Sequence, residues 1–214
     1  MTAAARARMV DDDVAARGVS DPRVLTAMRA VPRERFVPPA LAELAYADRP
    51  LPIGEGQTIS QPYVVAWMAE ALELAPTDRV LEIGTGSGYA AAVLAQLTPH
   101  VWSVERVPAL AARARANLAA AGVAAVQVVE GDGTLGLPAL APFDAIVLTA
   151  AGPAVPAALC AQLADGGRLV APVGAQDGPQ ELVRLRRAGA RLELEALGAV
   201  QFVPLIGAQG FAPR

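Results

Sequence analysis

From residue 79 onward the apolar positions fall into short continuous runs separated by stretches of helical spacing. Residues 79–83, 101–105, 126–130, 145–150 and 168–173 read as strands. Continuous rather than alternating runs are expected where both faces of a parallel sheet are covered. Between them, 89–97, 108–121 and 155–163 carry helical spacing, and Gly122 is placed to end the second of these helices. The alternation of strand and helix predicts an open, doubly wound, Rossmann-like α/β sheet. After Gly178 the pattern changes to alternation, with Leu182, Val183 and Leu185 followed by Leu192, Leu194 and Leu197. This predicts a hairpin through Ala188-Gly189 that closes one sheet edge with antiparallel strands.

The first third of the chain is different. Residues 3–17 and 21–31 read as helices, the second opened by Asp21 as cap and Pro22 at the first helical position. Asp11, Asp12 and Asp13 are expected on a solvated face. Pro32, Pro38 and Pro39 then break the helical pattern, and an irregular stretch runs to Ser60. Residues 54–62 are polar and glycine-loosened, which predicts a loop. Helical spacing returns over 61–74, where Val64, Val65, Met68, Ala71 and Leu72 share a face, and Ser60 before Gln61-Pro62 reads as an N-cap. One domain is expected over 1–214. Within it, 1–75 forms a helical N-terminal segment carrying the polar loop, and 76–214 forms the α/β core.

Composition narrows the partners. Hydrophobic residues make up 54 % of the chain and aromatic ones only 4 %, so the core must be built from Ala, Val and Leu. All 18 basic residues are Arg, yet the net charge is −3, which argues against a protein that tracks nucleic-acid phosphates. Cys160 is the single cysteine, so no intrachain disulfide can form, and it reads as a small core residue of a helix. No secretion signal opens the sequence and no run of about 18 apolar residues exists. A cytoplasmic location is expected, with no membrane partner and no metal. The single histidine, His100, precedes a strand, away from the polar loop, and is not expected to be catalytic.

Two glycine-rich runs carry the candidate chemistry. Leu81-Glu82-Ile83-Gly84-Thr85-Gly86-Ser87-Gly88-Tyr89 follows the first parallel strand and precedes a helix, where glycines permit a tight turn and close approach of a ligand. A plain strand-to-helix connection is the alternative reading of the turn alone. Its third glycine comes one residue too early for the dinucleotide pattern G-x-G-x-x-G, and no Walker-type Gly-Lys-Ser/Thr is present. Glu105 ends the second strand, where an acid can accept both ribose hydroxyls. Gly131-Asp132-Gly133 follows the third, where Asp132 can accept from an adenine amino group. Together these elements resemble the class I S-adenosylmethionine methyltransferases.

The other run, Gly56-Gln57-Thr58-Ile59-Ser60-Gln61-Pro62, resembles the signature of the protein-L-isoaspartate (D-aspartate) O-methyltransferase family. Val31-Pro32-Arg33-Glu34, Phe36-Val37-Pro38, 45–54, 81–89, Val104-Glu105-Arg106, 131–133, 141–144, 149–151, 162–174 and Phe202-Val203-Pro204-Leu205 are similar to that family in the same order. The resemblance implies methyl transfer from S-adenosylmethionine, leaving S-adenosylhomocysteine, to the free α-carboxylate of an isoaspartyl residue in a damaged protein or peptide. It implies Ser60 as the active-site hydroxyl, with Gln57, Thr58 and Ile59 on the same acceptor loop and Gln201 at the peptide edge. It further implies Glu82, Gly84, Thr85, Gly86, Ser87 and Gly88 around the methionine part of the cofactor. Glu105 and Arg106 would flank the ribose, and Gly131, Asp132 and Gly133 the adenine. A monomer is expected. The family usually has Arg where this chain has Gln201, and Gln where it has Ala90; the first difference bears on substrate preference. Two alternatives remain at this point: an O-methyltransferase for Asp in a dedicated biosynthetic peptide, and a cofactor-binding protein without turnover.

Overall fold

The computed structural model describes residues 3–213 of the chain. The first helical run is continuous but changes its winding. Helix α1 (Ala3–Arg8) passes into a wider π-type turn over Met9–Val14 and a 3-10 turn over Ala15–Arg17, stopped by Gly18 at φ 104°. Helix α2 (Pro22–Ala30) begins as expected, with the Asp21 side chain accepting from the Arg23 N–H. Asp11 and Asp12 are exposed and Asp13 half-buried, with Asp11 paired to Arg29.

The polar run at 54–62 is a hairpin rather than a loop. Strand β1 (Leu51–Gly54) pairs antiparallel with β2 (Gln57–Ile59), Leu51 opposite Ile59. Glu55 and Gly56 sit at φ 53° and 67°. Two successive positive-φ residues give the turn whose twist matches a tight hairpin. The alternation is present, since Leu51, Ile53 and Ile59 are buried, but Pro52 and Gly54 on the exposed face disguise it.

Helix α3 (Pro62–Ala71) follows. The expected face holds: Val65, Met68, Ala71 and Leu72 are buried, with Val64 packed beside them. The helix stops three residues early, and Glu73 takes φ 48°. Arg168 binds the carbonyls of Leu72 and Glu73, and Arg184 and Arg186 bind the Glu73 carboxylate, so side chains satisfy the helix end.

The α/β core comprises β3 (Val80–Ile83), α4 (Tyr89–Leu94), β4 (Val101–Glu105), α5 (Pro108–Ala120), β5 (Val126–Glu130), β6 (Phe143–Leu148), α6 (Ala157–Gln162), β7 (Leu163–Gly174), β8 (Gln180–Ala188) and β9 (Arg191–Val200). The seven strands lie in the order β5-β4-β3-β6-β7-β8-β9. The first five are parallel, and β8 and β9 run antiparallel as the expected edge hairpin. Every residue of β3 and β4 is buried, whereas β5, at the sheet edge, is only half-covered. Trp102 packs edge-to-face on Phe143 within the second core cluster. Cys160 lies half-buried on α6 with a free thiol that burial pushes above its ordinary pKa.

The topology positions the site. The chain winds outward through β3, β4 and β5, then returns to place β6 on the other side of β3. A reversal of this kind opens a crevice beyond the carboxyl ends of the two central strands. Those ends carry Gly84 and Thr149, and the Thr149 hydroxyl donates to the carbonyl of Gly84 at 2.6 Å across the crevice floor. The β1–β2 hairpin lies over this end of the sheet, while α2 packs beside α4, its Arg23 reaching the carbonyls of Leu74 and Leu97. Phe36 meets Tyr89 edge-to-face, and the carbonyl of Ile53 accepts from Arg113 of α5.

Candidate active site

The glycine turn between β3 and α4 holds Gly84, Gly86 and Gly88 at φ 100°, 54° and 88°. Backbone of this kind strains any other residue. A Cβ on Gly84 would lie 2.5 Å from the Thr149 hydroxyl, so the two central strands can approach only because it is absent. At Gly86 the N–H donates to Glu105 Oε2 at 2.9 Å, while Val107 N–H donates to Oε1 at 2.9 Å. The Glu105 carboxylate therefore clamps the turn to the end of β4. Each oxygen still has lone-pair capacity for a further donor.

Below the turn, a buried polar chain runs from Thr85 through Ser103 to Glu82. Thr85 Oγ1 and Ser103 Oγ are 2.6 Å apart, and Ser103 donates to Glu82 Oε2. Between Thr85 and Ser103 either hydroxyl can donate. Glu82 is fully buried, and its Oε1 has no partner among the described residues. Burial pushes its pKa up to about 8, against the Ser103 hydrogen bond and with the nearby Glu105 carboxylate adding to the rise.

A cleft of about 840 Å³, its open mouth included, occupies the crevice. Gly84, Thr85, Gly86, Ser87, Glu105, Arg106 and Gly133 line it on the sheet side, and Gln57, Thr58, Ile59 and Ser60 on the hairpin side. A third wall is 203–206, pinned to Ala151 by two backbone hydrogen bonds of 2.7 and 2.9 Å.

Of the residues predicted for this site, Glu82, Gly88, Gly131, Asp132 and Gln201 are not on its wall. Glu82 supports the turn from beneath. Gly88 faces α5, where a Cβ would come within 3.2 Å of Leu118 and 3.5 Å of Ala114. Asp132 accepts from the Thr134 N–H and hydroxyl and from the Ala208 N–H at 2.7–2.9 Å. Burial opposes its ionisation, but these donors, with Arg106 nearby, hold the carboxyl below its ordinary pKa. Its visible role is to tie the 207–209 turn to the end of β5, which steadies the 203–206 wall.

Ser60 stands where the cleft meets a second cavity of about 730 Å³, lined also by Thr58, Thr149, Gln201 and Phe202. Its hydroxyl has no hydrogen-bond partner among the described residues, so it is not the helix cap expected from the sequence. The cap position is Gln61, whose side chain does not cap, and Asp48 supplies the acceptor instead. Asp48 Oδ1 accepts from the Tyr63 N–H at 3.0 Å, and Oδ2 accepts from Gln61 Nε2 at 2.6 Å and Arg17 at 2.7 Å. The Ser60 backbone is fixed from the other side by Arg33. This guanidinium is wholly buried without a carboxylate partner and donates to the carbonyls of Ala45, Ser60 and Arg49 at 2.7, 2.8 and 3.3 Å. Burial lowers its pKa to about 10, which leaves it charged at neutral pH. Reading the sequence missed Arg33, Asp48 and Thr149 as parts of this site. All three fall in family-like segments, but nothing local announces that an Arg among prolines is buried.

A parallel sheet with a glycine turn and a strand-end acid sharing one cleft at its switch point is the architecture of the class I S-adenosylmethionine methyltransferases. The chain belongs to the protein-L-isoaspartate(D-aspartate) O-methyltransferase family, whose model matches residues 4–210. It is 60 % identical over 206 residues to the protein-L-isoaspartate O-methyltransferase of Methanoculleus marisnigri, covering 96 % of this chain and 93 % of that one. It is 57 % identical over 213 residues to that of Methylorubrum populi, covering 99 % and 100 %. A solved protein-L-isoaspartate O-methyltransferase superposes with a TM-score of 0.85 at 30 % identity, over 96 % of this chain and 67 % of that one. A Plasmodium falciparum structure in complex with S-adenosyl-L-homocysteine has the same fold, with a TM-score of 0.81 at 24 % identity over 94 % and 98 % of the two chains.

Proposed function

We propose that this chain transfers the methyl group of S-adenosylmethionine to the free α-carboxylate of L-isoaspartyl residues in damaged proteins and peptides, the step that initiates their repair. The observation that carries the reading is the place of Ser60: an unpartnered hydroxyl on the wall shared by the cofactor cleft and the second cavity.

The residues of the cleft fit the cofactor. Glu105 retains acceptor capacity toward ribose hydroxyls, and the turn at 84–87 presents backbone without side-chain bulk at Gly84 and Gly86. When bound, S-adenosylmethionine supplies an electrophilic methyl carbon on a sulfonium, and the sulfur leaves with the C–S electron pair as a carboxylate oxygen bonds to that carbon. The acceptor α-carboxyl, with an ordinary pKa of about 3.5, is already ionised at neutral pH, so no side chain need remove a proton. What the protein supplies is position. Ser60 donates one neutral hydrogen bond to the carboxylate and orients it toward the cleft. A cationic partner there would hold the ground state harder than the transition state, since the carboxylate loses charge as it reacts. Arg33 and Asp48 fix the backbone on either side of that hydroxyl. Orientation of this kind is worth roughly 7–11 kcal/mol of barrier in well-aligned systems.

The same reading has the enzyme working as a monomer on cytoplasmic proteins. Among the described residues no helix is long and apolar enough to cross a membrane, and the net charge of −3 offers nothing to a phosphate backbone. The test is transfer of a labelled methyl group to an isoaspartyl peptide and to the same peptide with normal Asp. Base-labile label on the isoaspartyl peptide alone is expected. Equal labelling, or none, overturns the proposal.

A further inference from the structure

The second cavity carries an asymmetry of charge that the methyl-transfer chemistry does not require. Among the described residues, Arg17 is the only charged side chain on its wall. The guanidinium is held in place twice. Its carbon stacks 3.6 Å above the centre of the Tyr63 ring, which in turn stacks on Trp67 with ring centres 5.7 Å apart, and its NH1 pairs with Asp48 at 2.7 Å. A guanidinium stacked on one face and bonded along one edge is preorganised, and so loses little freedom when a further acceptor arrives. Among the described residues, its Nε and NH2 have no protein acceptor.

Two carboxylates lie near this charge, Asp48 and Asp13, but neither lines the cavity. Asp48 is turned inward, with 14 % of its side chain exposed against 46 % for Arg17. Its oxygens are also committed to the Tyr63 N–H and the Gln61 amide at the start of α3, where the helix end favours negative charge. The opposite wall offers no second cation: Gln201 and Phe202 are neutral, and Ser60 closes the inner end.

We propose that Arg17 is a specificity-determining residue that selects acceptors by charge. It favours isoaspartyl peptides with an acidic residue beside the isoaspartate and disfavours those with Lys or Arg there. The inference rests on the reading of the second cavity as the acceptor site. An exposed pair is worth little, so the preference is a few-fold rather than absolute, and it is screened by salt.

The experiment compares kcat/KM of the full chain for one isoaspartyl peptide carrying Glu, Gln or Lys at the flanking position, first on the amino and then on the carboxyl side. The expected Glu-to-Lys ratio is about three to ten for one of the two sides, and it shrinks toward one in 0.5 M salt. Arg17→Gln brings the ratio to about one, Arg17→Glu inverts it, and Arg17→Lys retains part of it through charge without the stacked geometry. A general loss of activity does not move a ratio. A ratio that persists in Arg17→Gln, or a wild-type ratio near one on both sides, overturns the assignment and leaves the function standing. Absence of base-labile methyl on every peptide overturns the function and this inference with it.

Discussion

Asp48 Oδ1 accepts the Tyr63 N–H at 3.0 Å, capping α3 from fifteen residues back in the chain. The adjacent Ser60, which has the residue type and position of a cap, is thereby released. The division of labour separates two substitutions. Asp48→Ala removes a cap and the Arg17 pair, and should cost about 1–2 kcal/mol of stability. Ser60→Ala should leave stability within about 0.5 kcal/mol. It should instead lower kcat/KM for an isoaspartyl peptide by roughly ten- to a hundredfold, or ~1.4–2.7 kcal/mol, with cofactor affinity unchanged. Chemical denaturation and calorimetric titration of the cofactor check both. A Ser60→Ala protein that loses stability with its activity would make that hydroxyl structural.

Arg33 presents the opposite case, a charge buried to hold backbone. Its three acceptors are all carbonyls, one of them of Ser60. Arg33→Met strips those carbonyls of their donors, that of Ala45 in a buried place and those of Ser60 and Arg49 partly buried, and is expected to cost about 2–4 kcal/mol. Arg33→Lys keeps the charge but lacks the planar fork, so it can serve fewer of the carbonyls. It should fold with a lowered Tm and a kcat reduced further than the cofactor's Kd is raised. An Arg33→Lys enzyme with wild-type kcat would show that the Ser60 backbone does not depend on this contact.

The glycine turn makes a third test, because its members have different neighbours. A Cβ at Gly86 would meet only Ile53, at 3.4 Å, whereas one at Gly88 would press into Leu118 and Ala114. Gly88→Ala should therefore destabilise the fold by about 1–3 kcal/mol through strain at φ 88° and crowding against α5, yet retain cofactor binding. Gly86→Val should lose binding by filling the cleft. Equal loss of binding in both variants would mean that the turn responds as a unit.

The sheet was legible because its signal is local. Five parallel strands, four of them well buried and β5 half-covered at the edge, leave apolar runs, and the edge hairpin leaves alternation around Ala188-Gly189. The β1–β2 hairpin was hidden because one of its faces is Pro52 and Gly54, residues that read as loop wherever they occur. The cap of α3 was misplaced for a related reason: the nearest suitable side chain is Ser60, and only the folded path brings Asp48 closer. Asp132 shows the limit most clearly. Its position after β5 suggests a ligand, and what the pattern cannot show is that the carboxylate also binds Thr134 and Ala208, the second from a turn 76 residues away. Partners at that distance leave no trace in the local pattern.

Glu82 gives a prediction in pH. Its folded pKa is about 8 against an ordinary 4.5, because burial disfavours the carboxylate. The protonated form is the one the fold accommodates, so this group's contribution to stability is complete below pH 4.5. It erodes as the unfolded chain ionises above that value, and is gone once the pH passes about 8. The group thus makes stability fall across pH 5–8, by an amount on the order of a few kcal/mol. Asp132 and Glu73, whose pKa values are lowered, act in the other direction: their contribution is present above the ordinary carboxylate range and lost as the pH falls. Glu82→Gln removes the proton linkage and nothing of the shape. Its amide oxygen can still accept from Ser103, but its NH2 lands where Oε1 has no partner, a pH-independent cost of about 1–3 kcal/mol. The melting temperature of Glu82→Gln should lie lower than wild type at pH 5, and the two should converge as the pH rises to 8. Parallel curves for the two proteins across that range would show that Glu82 is ionised in the folded state, with its charge met by a donor that reaches Oε1.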